Sequence, residues 1–303
     1  MIDVASYLYT ELLALPDAIF TRQDALRMGL GDEVLKAALR RGLITRICRG
    51  AYTGPGTWTK EEHRQLLAKA ALRTYPDAVL TGATAVAAHG IPLFEVAAVR
   101  ADIARPVARE ASTEHLRIRP LRHDPVDTPW GPATELATAL VQMTIDHGIT
   151  AGVTSIDAAL HCGATTRGSL DAVYETVRRW PLSSRVRCAL EWSDGDAESP
   201  GESVTRVILR AAGWRVVSQV PIADRHGELV ARADLGIEGT RVLIEFDGKV
   251  KYADGGADAL FREKKREDRL RALGYVIVRV TWADLFHSQR IVAAVAAALA
   301  VAA

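Results

Sequence analysis

A mixed α/β protein of several domains is predicted by three observations. The chain has 303 residues, more than one ordinary core accommodates. Apolar residues make up 49 % of it, ample for cores, and neither a repeat nor a low-complexity tract interrupts it. The hydrophobic period also changes along the chain. Short helices leading into a hairpin occupy 1–56, a mixed α/β region fills 57–196, and a helix, hairpin, helix, strand and final helix follow over 197–303.

In the first region, Val4 to Leu15 forms a helix ended by Pro16. Thr21 is the N-cap for a second helix from Arg22 to Met28, closed by Gly29. Asp32-Glu33 opens a third helix through Arg41, with Val34, Leu35, Ala38 and Leu39 as its apolar face and Gly42 as its stop. Leu43 to Tyr52 then gives two strands about a tight turn, which completes the layout of a winged helix-turn-helix. From Arg22 to Arg49 there are seven Lys or Arg against three acids. Lys36 and Arg40 lie one turn apart on the polar side of the third helix, Arg22 and Arg41 flank them, and Arg46 and Arg49 sit on the wing. Double-stranded DNA is the partner such a surface suits, because guanidinium and ammonium groups meet phosphates and enter the minor groove. The alternative is a module of the same shape used only for protein contacts.

The run Leu39-Arg-Arg-Gly-Leu-Ile-Thr-Arg-Ile-Cys-Arg-Gly-Ala-Tyr52 resembles the third helix and wing of the AbiEi family of antitoxins. That resemblance implies a transcriptional autorepressor of a type IV toxin–antitoxin operon, with a cognate toxin as a further partner. The segment Val79 to Leu93, with His89-Gly90-Ile-Pro, resembles the small-residue helix that often follows the winged helix in that family.

The middle region reads as a helix over Lys60–Arg73, strand-like runs over 96–121, and helices over Thr134–His147, Ser155–Cys162, Leu170–Trp180 and Ser183–Trp192. His89 reads as a helix end before Gly90, and His147 and His161 have no companion at catalytic or metal-ligand spacing. A scaffold, dimerisation (a homodimer) or toxin-contact role is assigned to this region. Ser193 to Pro200 reads as a polar linker.

The last region carries the chemistry. Arg232 to Tyr252 reads as two strands joined at Glu238-Gly239-Thr240. Side chains alternate along a strand, so Glu245, Asp247, Lys249 and Lys251 share one face while Val242, Ile244 and Phe246 fill the other. Antiparallel pairing brings Asp234 beside Glu245. Carboxylates at every second position of an apolar run are costly to bury unless paired, metal-bound or wet. Asp234, Glu245 and Asp247 are the candidate ligands of Mg²⁺ or Mn²⁺, and Lys249 or Lys251 the candidate phosphate-side cation. A surface hairpin with solvated charges is the alternative.

The following helix, roughly Asp258 to Leu273, puts Glu263, Arg266, Leu270 and Leu273 on one stripe, so that Glu263 and Arg266 reach toward the acids if the leucines pack on the sheet. Gly274 stops it, Tyr275–Val280 reads as a buried strand, and Trp282-Ala-Asp284-Leu285 starts the final helix. Ser199-Pro200-Gly201-Glu202 is a capping box, and the stripe Val204, Val207, Ile208, Ala211 puts Glu202 on the opposite side. The cap explains Glu202 by itself; an accessory catalytic role is the other reading.

Asp234, Asp247-Gly248-Lys249 and the stretch Glu245-x-Asp247-Gly248-x-x-Lys251-Tyr252 resemble the PD-(D/E)XK nuclease superfamily, and within it the family related to very-short-patch-repair endonucleases. The resemblance covers about residues 197–290. It implies a restriction-endonuclease-like domain that hydrolyses DNA phosphodiesters with a divalent metal, in phage defence, restriction or repair. The two alignments select different lysines. Asp247 followed by Gly departs from the usual triplet, which leaves open a nuclease fold kept only for binding.

Formal net charge is +1, so any nucleic-acid surface is a local patch. Cys48, Cys162 and Cys188 lie far apart, give neither zinc site nor disulfide framework, and suit a reducing cytoplasm. The Ala/Val-rich stretch Ile291–Ala303 is too short to span a bilayer and reads as a packing helix, so no membrane partner is expected.

Overall fold

The computed structural model describes residues 11–248 and 257–302. The protein is mixed α/β, with twelve α-helices and three sheets among the described residues, and it divides into two compact units, Met1–His147 and Gly148–Ala303.

The first unit begins with β1 (Ile19–Thr21), α1 (Arg22–Arg27), α2 (Asp32–Arg40), β2 (Thr45–Cys48) and β3 (Ala51–Thr53). The strands form an antiparallel sheet in the order β1-β3-β2. Thr21 caps α1 as expected, through a reciprocal box in which the Asp24 carboxylate accepts the Thr21 N–H at 2.8 Å. Ile19-Phe20-Thr21 does more than lead into that helix. Its β-branched and aromatic side chains suit a strand, and it pairs along β3 with Phe20 opposite Tyr52, the rings stacked at 5.4 Å. Leu12, Phe20, Ala25, Leu35, Ala38, Ile44 and Tyr52 make the core beneath. Most of the expected first helix, Val4 to Leu15, lies outside the described residues.

The chain continues through α3 (Lys60–Thr74), β4 (Val79–Leu80), α4 (Gly82–Ala88), β5 (Ala101–Arg105), β6 (Ala111–Ser112), β7 (Leu116–Pro120), β8 (Val126–Thr128), β9 (Gly131–Ala133) and α5 (Leu136–His147). Six strands order as β6-β7-β5-β4-β9-β8. Every residue of α4 is buried, which its Gly, Ala, Thr and Val side chains permit by letting neighbours approach closely. His89 caps α4 with its backbone N–H on the Ala85 carbonyl, and its ring Nε2 lies 2.9 Å from the Thr134 carbonyl, a structural placement.

The second unit runs α6 (Ile149–His161), α7 (Arg167–Val177), α8 (Ser183–Trp192), α9 (Pro200–Ala211), β10 (Val216–Ala223), β11 (Leu229–Ile237), β12 (Val242–Asp247), α10 (Ala257–Ala272), β13 (Val276–Thr281), α11 (Trp282–Leu285) and α12 (Ser288–Ala302). Helix α6 starts at Ile149 rather than Ser155, because Gly148 at φ 94° turns the whole corner from α5. The sheet order is β10-β11-β12-β13; the first three strands are antiparallel, and β13 joins β12 in parallel after the α10 crossover. Helix α12 buries Ile291, Val295 and Ala298. Among the described residues no helix is long and apolar enough to cross a membrane.

Two expectations are corrected. Segment 193–200 is not a free linker: the Asp194 N–H donates to Asp157 at 2.7 Å, the Gly195 carbonyl meets His161 Nδ1 at 3.0 Å, and Ala197 is buried. His161 is therefore partnered. Nor does α9 show one apolar face: Glu202, Ser203, Thr205 and Arg206 are buried alongside Val204 and Val207. Polar residues line its inner sides because each has a partner there.

Candidate functional site

Glu202 stands in the first turn of α9, and local sequence fixes it. The Ser199 hydroxyl accepts the Glu202 N–H at 3.3 Å and donates to Oε1 at 2.7 Å, while Pro200 supplies a preset first helical residue. The returning carboxylate reaches one residue beyond the cap amide: Oε2 accepts the Glu198 N–H at 3.0 Å and the Gln219 side-chain amide at 3.1 Å. Gly201 lets this turn press on the sheet. A Cβ there would stand 2.1 Å from the Phe246 ring, so no other residue fits without displacing it. Phe246 in turn meets Trp282 edge-to-face at 5.1 Å.

Asp234 lies where two ladders part. Between β10 and β11 the rungs Ser218↔Leu235 and Val220↔Ala233 bracket Gln219 and Asp234, which form none themselves; Gln219 takes a left-handed φ of 51°. Between β11 and β12 the rungs Leu235↔Ile244 and Gly236↔Leu243 point, one step on, to Asp234 opposite Glu245. The Asp234 carboxylate takes over the backbone's role there, accepting the Phe246 N–H at 2.8 Å. Burial raises the Glu202 carboxyl above the ordinary range against its hydrogen bonds from Ser199 and Glu198, and the charge of Asp234 pushes it further. Two carboxylates from different elements thus sense one another.

Glu245 has a different environment. Both of its oxygens accept from Arg266 of α10, each at 2.8 Å, in a bidentate pair. The stripe expected on that helix does bring Arg266 to the strand. The pair takes one lone pair on each Glu245 oxygen and fixes the direction in which the carboxylate points. Asp247 ends β12, half-buried and opposite Thr281 in the parallel register. Lys249 and Lys251 lie outside the described residues, as does the side chain of Glu263. Among the described residues no group of three or more His, Cys, Asp or Glu side chains is gathered as a metal cage.

Behind the acids is a network that sequence reading missed. Arg206, fully buried, pairs with buried Asp157 of α6, donates to Ser218 at 3.1 Å and lies 3.5 Å from Asp194. Burial pushes Asp157 up to about 6. Asp157 is 49 residues upstream of Arg206 in a different helix, and its sequence neighbours give no signal of the pairing.

In the first unit the six basic residues singled out for DNA are all exposed: Arg22, Lys36, Arg40, Arg41, Arg46 and Arg49. Arg22 is held by Asp32 at 2.6 and 2.7 Å, Lys36 by Glu33 at 2.8 Å, and the Arg46 guanidinium stands 5.9 Å above the Tyr52 ring. Gly50, at φ 82°, turns the chain between β2 and β3 so that Arg49 projects at the tip. Arg22, Lys36, Arg46 and Arg49 line a groove of about 870 Å³ that is also lined by Thr113, Glu114 and His115 and by Leu116, the first residue of β7. Arg40 and Arg41 stand outside it, at the end of α2.

No family model matches the chain, and no curated protein matches it in sequence.

Proposed function

We propose that this protein binds double-stranded DNA through its amino-terminal helices and hairpin, read as a winged helix, and hydrolyses phosphodiesters at the acids of its carboxy-terminal sheet, read as a restriction-endonuclease-like domain. The observation that carries the reading is the Asp234 carboxylate at the end of the β11–β12 ladder, accepting the Phe246 N–H between Glu245 and Asp247. A carboxylate at the parting of two ladders acts on a second one buried in the next layer, beside the strand that bears Glu245 and Asp247. Repulsion between neighbouring carboxylates is a condition a divalent cation relieves, and carboxylate oxygens are the donors Mg²⁺ or Mn²⁺ prefers.

Asp234 and Asp247 would hold such an ion, with Glu202 near enough to feel its charge. When bound, the ion supplies a water of lowered pKa and neutralises charge on the scissile phosphate. Glu202, fixed by Ser199, Glu198 and Gln219, holds one wall of the site rigid. Arg266 keeps Glu245 oriented. Lys249 or Lys251 is the phosphate-side cation of this proposal. The exposed bases of the first unit bring the polyanion to the protein.

Incubation of purified protein with supercoiled plasmid and Mg²⁺ or Mn²⁺ tests this. Nicking that disappears in both Asp234→Ala and Asp247→Ala is the expected result; nicking that persists in either sinks the assignment. A second reading has its own support, since Arg266 occupies both Glu245 oxygens and the Phe246 amide occupies one of Asp234. On that reading the protein is an AbiEi-type autorepressor, its nuclease-like fold kept for binding a toxin. A shift of its own promoter DNA, with no nicking under any divalent ion, would favour the repressor.

A further inference from the structure

A second polar pocket, independent of the acid site, lies within the first unit. About 70 Å³ in volume, it is lined by Arg64 of α3, Arg100 and Asp102 at the start of β5, Arg117 of β7 and His147 at the end of α5. Arg64 is the unusual member. Its side chain is 5 % exposed, its Nη2 donates to the Val96 carbonyl at 2.8 Å, and its Nε makes no hydrogen bond, the nearest acid oxygen (Glu61) standing at 3.6 Å. A buried guanidinium N–H left without an acceptor, in a wall that also presents two more guanidinium groups, has the chemistry of an oxyanion site.

The remaining lining narrows the ligand. Arg117 lies 3.2 Å from Asp146, 3.7 Å from Asp102 and 3.9 Å from Glu110, while Arg100 is exposed at the mouth. Burial keeps His147 below its ordinary range and pushes Asp102 up to about 6, so neither adds a full charge against the guanidinium groups when neutral. Three guanidinium groups from three segments line the pocket, more than the two oxygens of a carboxylate engage and a match for the several oxygens of a phosphate. The volume is about twice that of a water in the liquid, enough for a phosphate group with any attached moiety left outside.

We propose that this pocket binds a phosphate group, either inorganic phosphate or the terminal monoester of a nucleotide, through Arg64, Arg100 and Arg117. The test is calorimetric titration and thermal unfolding of the full chain with sodium phosphate, AMP and adenosine, each against sodium chloride at matched ionic strength. Saturable binding of phosphate, with a rise of at least about 2 °C in melting temperature, is expected. Adenosine should give neither. Equal responses to phosphate and AMP identify free phosphate as sufficient, and a response to AMP alone identifies the monoester; either supports the site.

Arg100→Gln, on an exposed side chain that the fold does not need, should weaken binding at least about fivefold by removing one charge-assisted contact. Arg64→Lys, which keeps the charge and removes Nε, should weaken it as well, with its circular dichroism melt showing that it folds. Absence of a saturable response, an equal response in Arg100→Gln, or a phosphate-soaked crystal with only ordered water in the pocket would overturn the proposal.

Discussion

The basic surface of the first unit and the buried acids of the second carry their charges in opposite ways. Arg22 with Asp32 and Lys36 with Glu33 are solvated pairs of neighbours, about half or more exposed on each partner. Such pairs contribute little to stability and open easily, so they cost a bound polyanion almost nothing to displace. Glu202 and Asp157 are desolvated, and burial raises both above the ordinary carboxylate range. Their charge is held against a cost, which the rest of the fold or a ligand must offset. The difference separates a surface suited to reversible capture from an interior suited to holding charge in fixed geometry.

The buried pair is where that contrast breaks with the largest effect. Asp157→Leu leaves the Arg206 guanidinium enclosed without its principal partner, and a loss of about 3–5 kcal/mol in unfolding free energy is expected. Adding Arg206→Met should recover most of that loss, since an apolar pair replaces the ionic one. Urea denaturation of the single and double variants checks both; a single variant as stable as wild type would show the network to be solvated. The same carboxyl gives a pH signature. Its pKa is raised from 3.8 to about 6 in the folded state, so its contribution is whole below the unfolded value and is lost as pH rises through about 6. The change is at most about 3 kcal/mol, and the wild-type urea midpoint should fall between pH 4.5 and 7 more than that of Asp157→Asn.

Much of this architecture is legible in the sequence, for physical reasons that differ by element. Thr21, Gly42, Gly274 and the Ser199 box mark helix ends because capping is local chemistry. The β11–β12 hairpin follows from alternation on either side of Gly239. What depends on a distant partner is not legible. Asp157 needs Arg206, Gln219 turns left-handed only where Asp234 faces it, and Gly201 is required by the Phe246 ring rather than by its helix. Ile19–Thr21 becomes a strand because β3 offers it an edge. At the candidate site, the meeting of Asp234 with β12 is readable from register, whereas the capture of Glu245 by Arg266 depends on a helix 21 residues on in sequence.

An intermediate effect is expected at Asp234 itself. Asn is isosteric and keeps an oxygen for the Phe246 N–H, while it removes the charge that burdens Glu202. Asp234→Asn should therefore leave the metal-free protein within about 1 kcal/mol of wild type, yet abolish any thermal shift on adding Mn²⁺. Differential scanning fluorimetry with and without Mn²⁺ reads both. A variant destabilised beyond that margin, and still responsive to Mn²⁺, would assign Asp234 a purely structural role.

The smallest effect on stability, and the sharpest on binding, belongs to the basic surface. Arg46 and Arg49 are exposed, and neither supports the packing beneath it: Arg46 rests over Tyr52, whose ring is already stacked on Phe20. Arg46→Gln and Arg49→Gln should each leave the melting temperature within about 2 °C of wild type. If these side chains meet phosphates, each substitution weakens binding to every duplex alike and lowers the slope of log affinity against log salt by about 1. If one of them reads the minor groove instead, its loss weakens A·T-rich duplexes more than G·C-rich ones. Fluorescence anisotropy with two duplexes of opposite composition, across a salt series, separates these outcomes. An unchanged slope and affinity in both variants would remove the β2–β3 tip from the DNA interface and leave Lys36, Arg40 and Arg41 of the second helix to carry it.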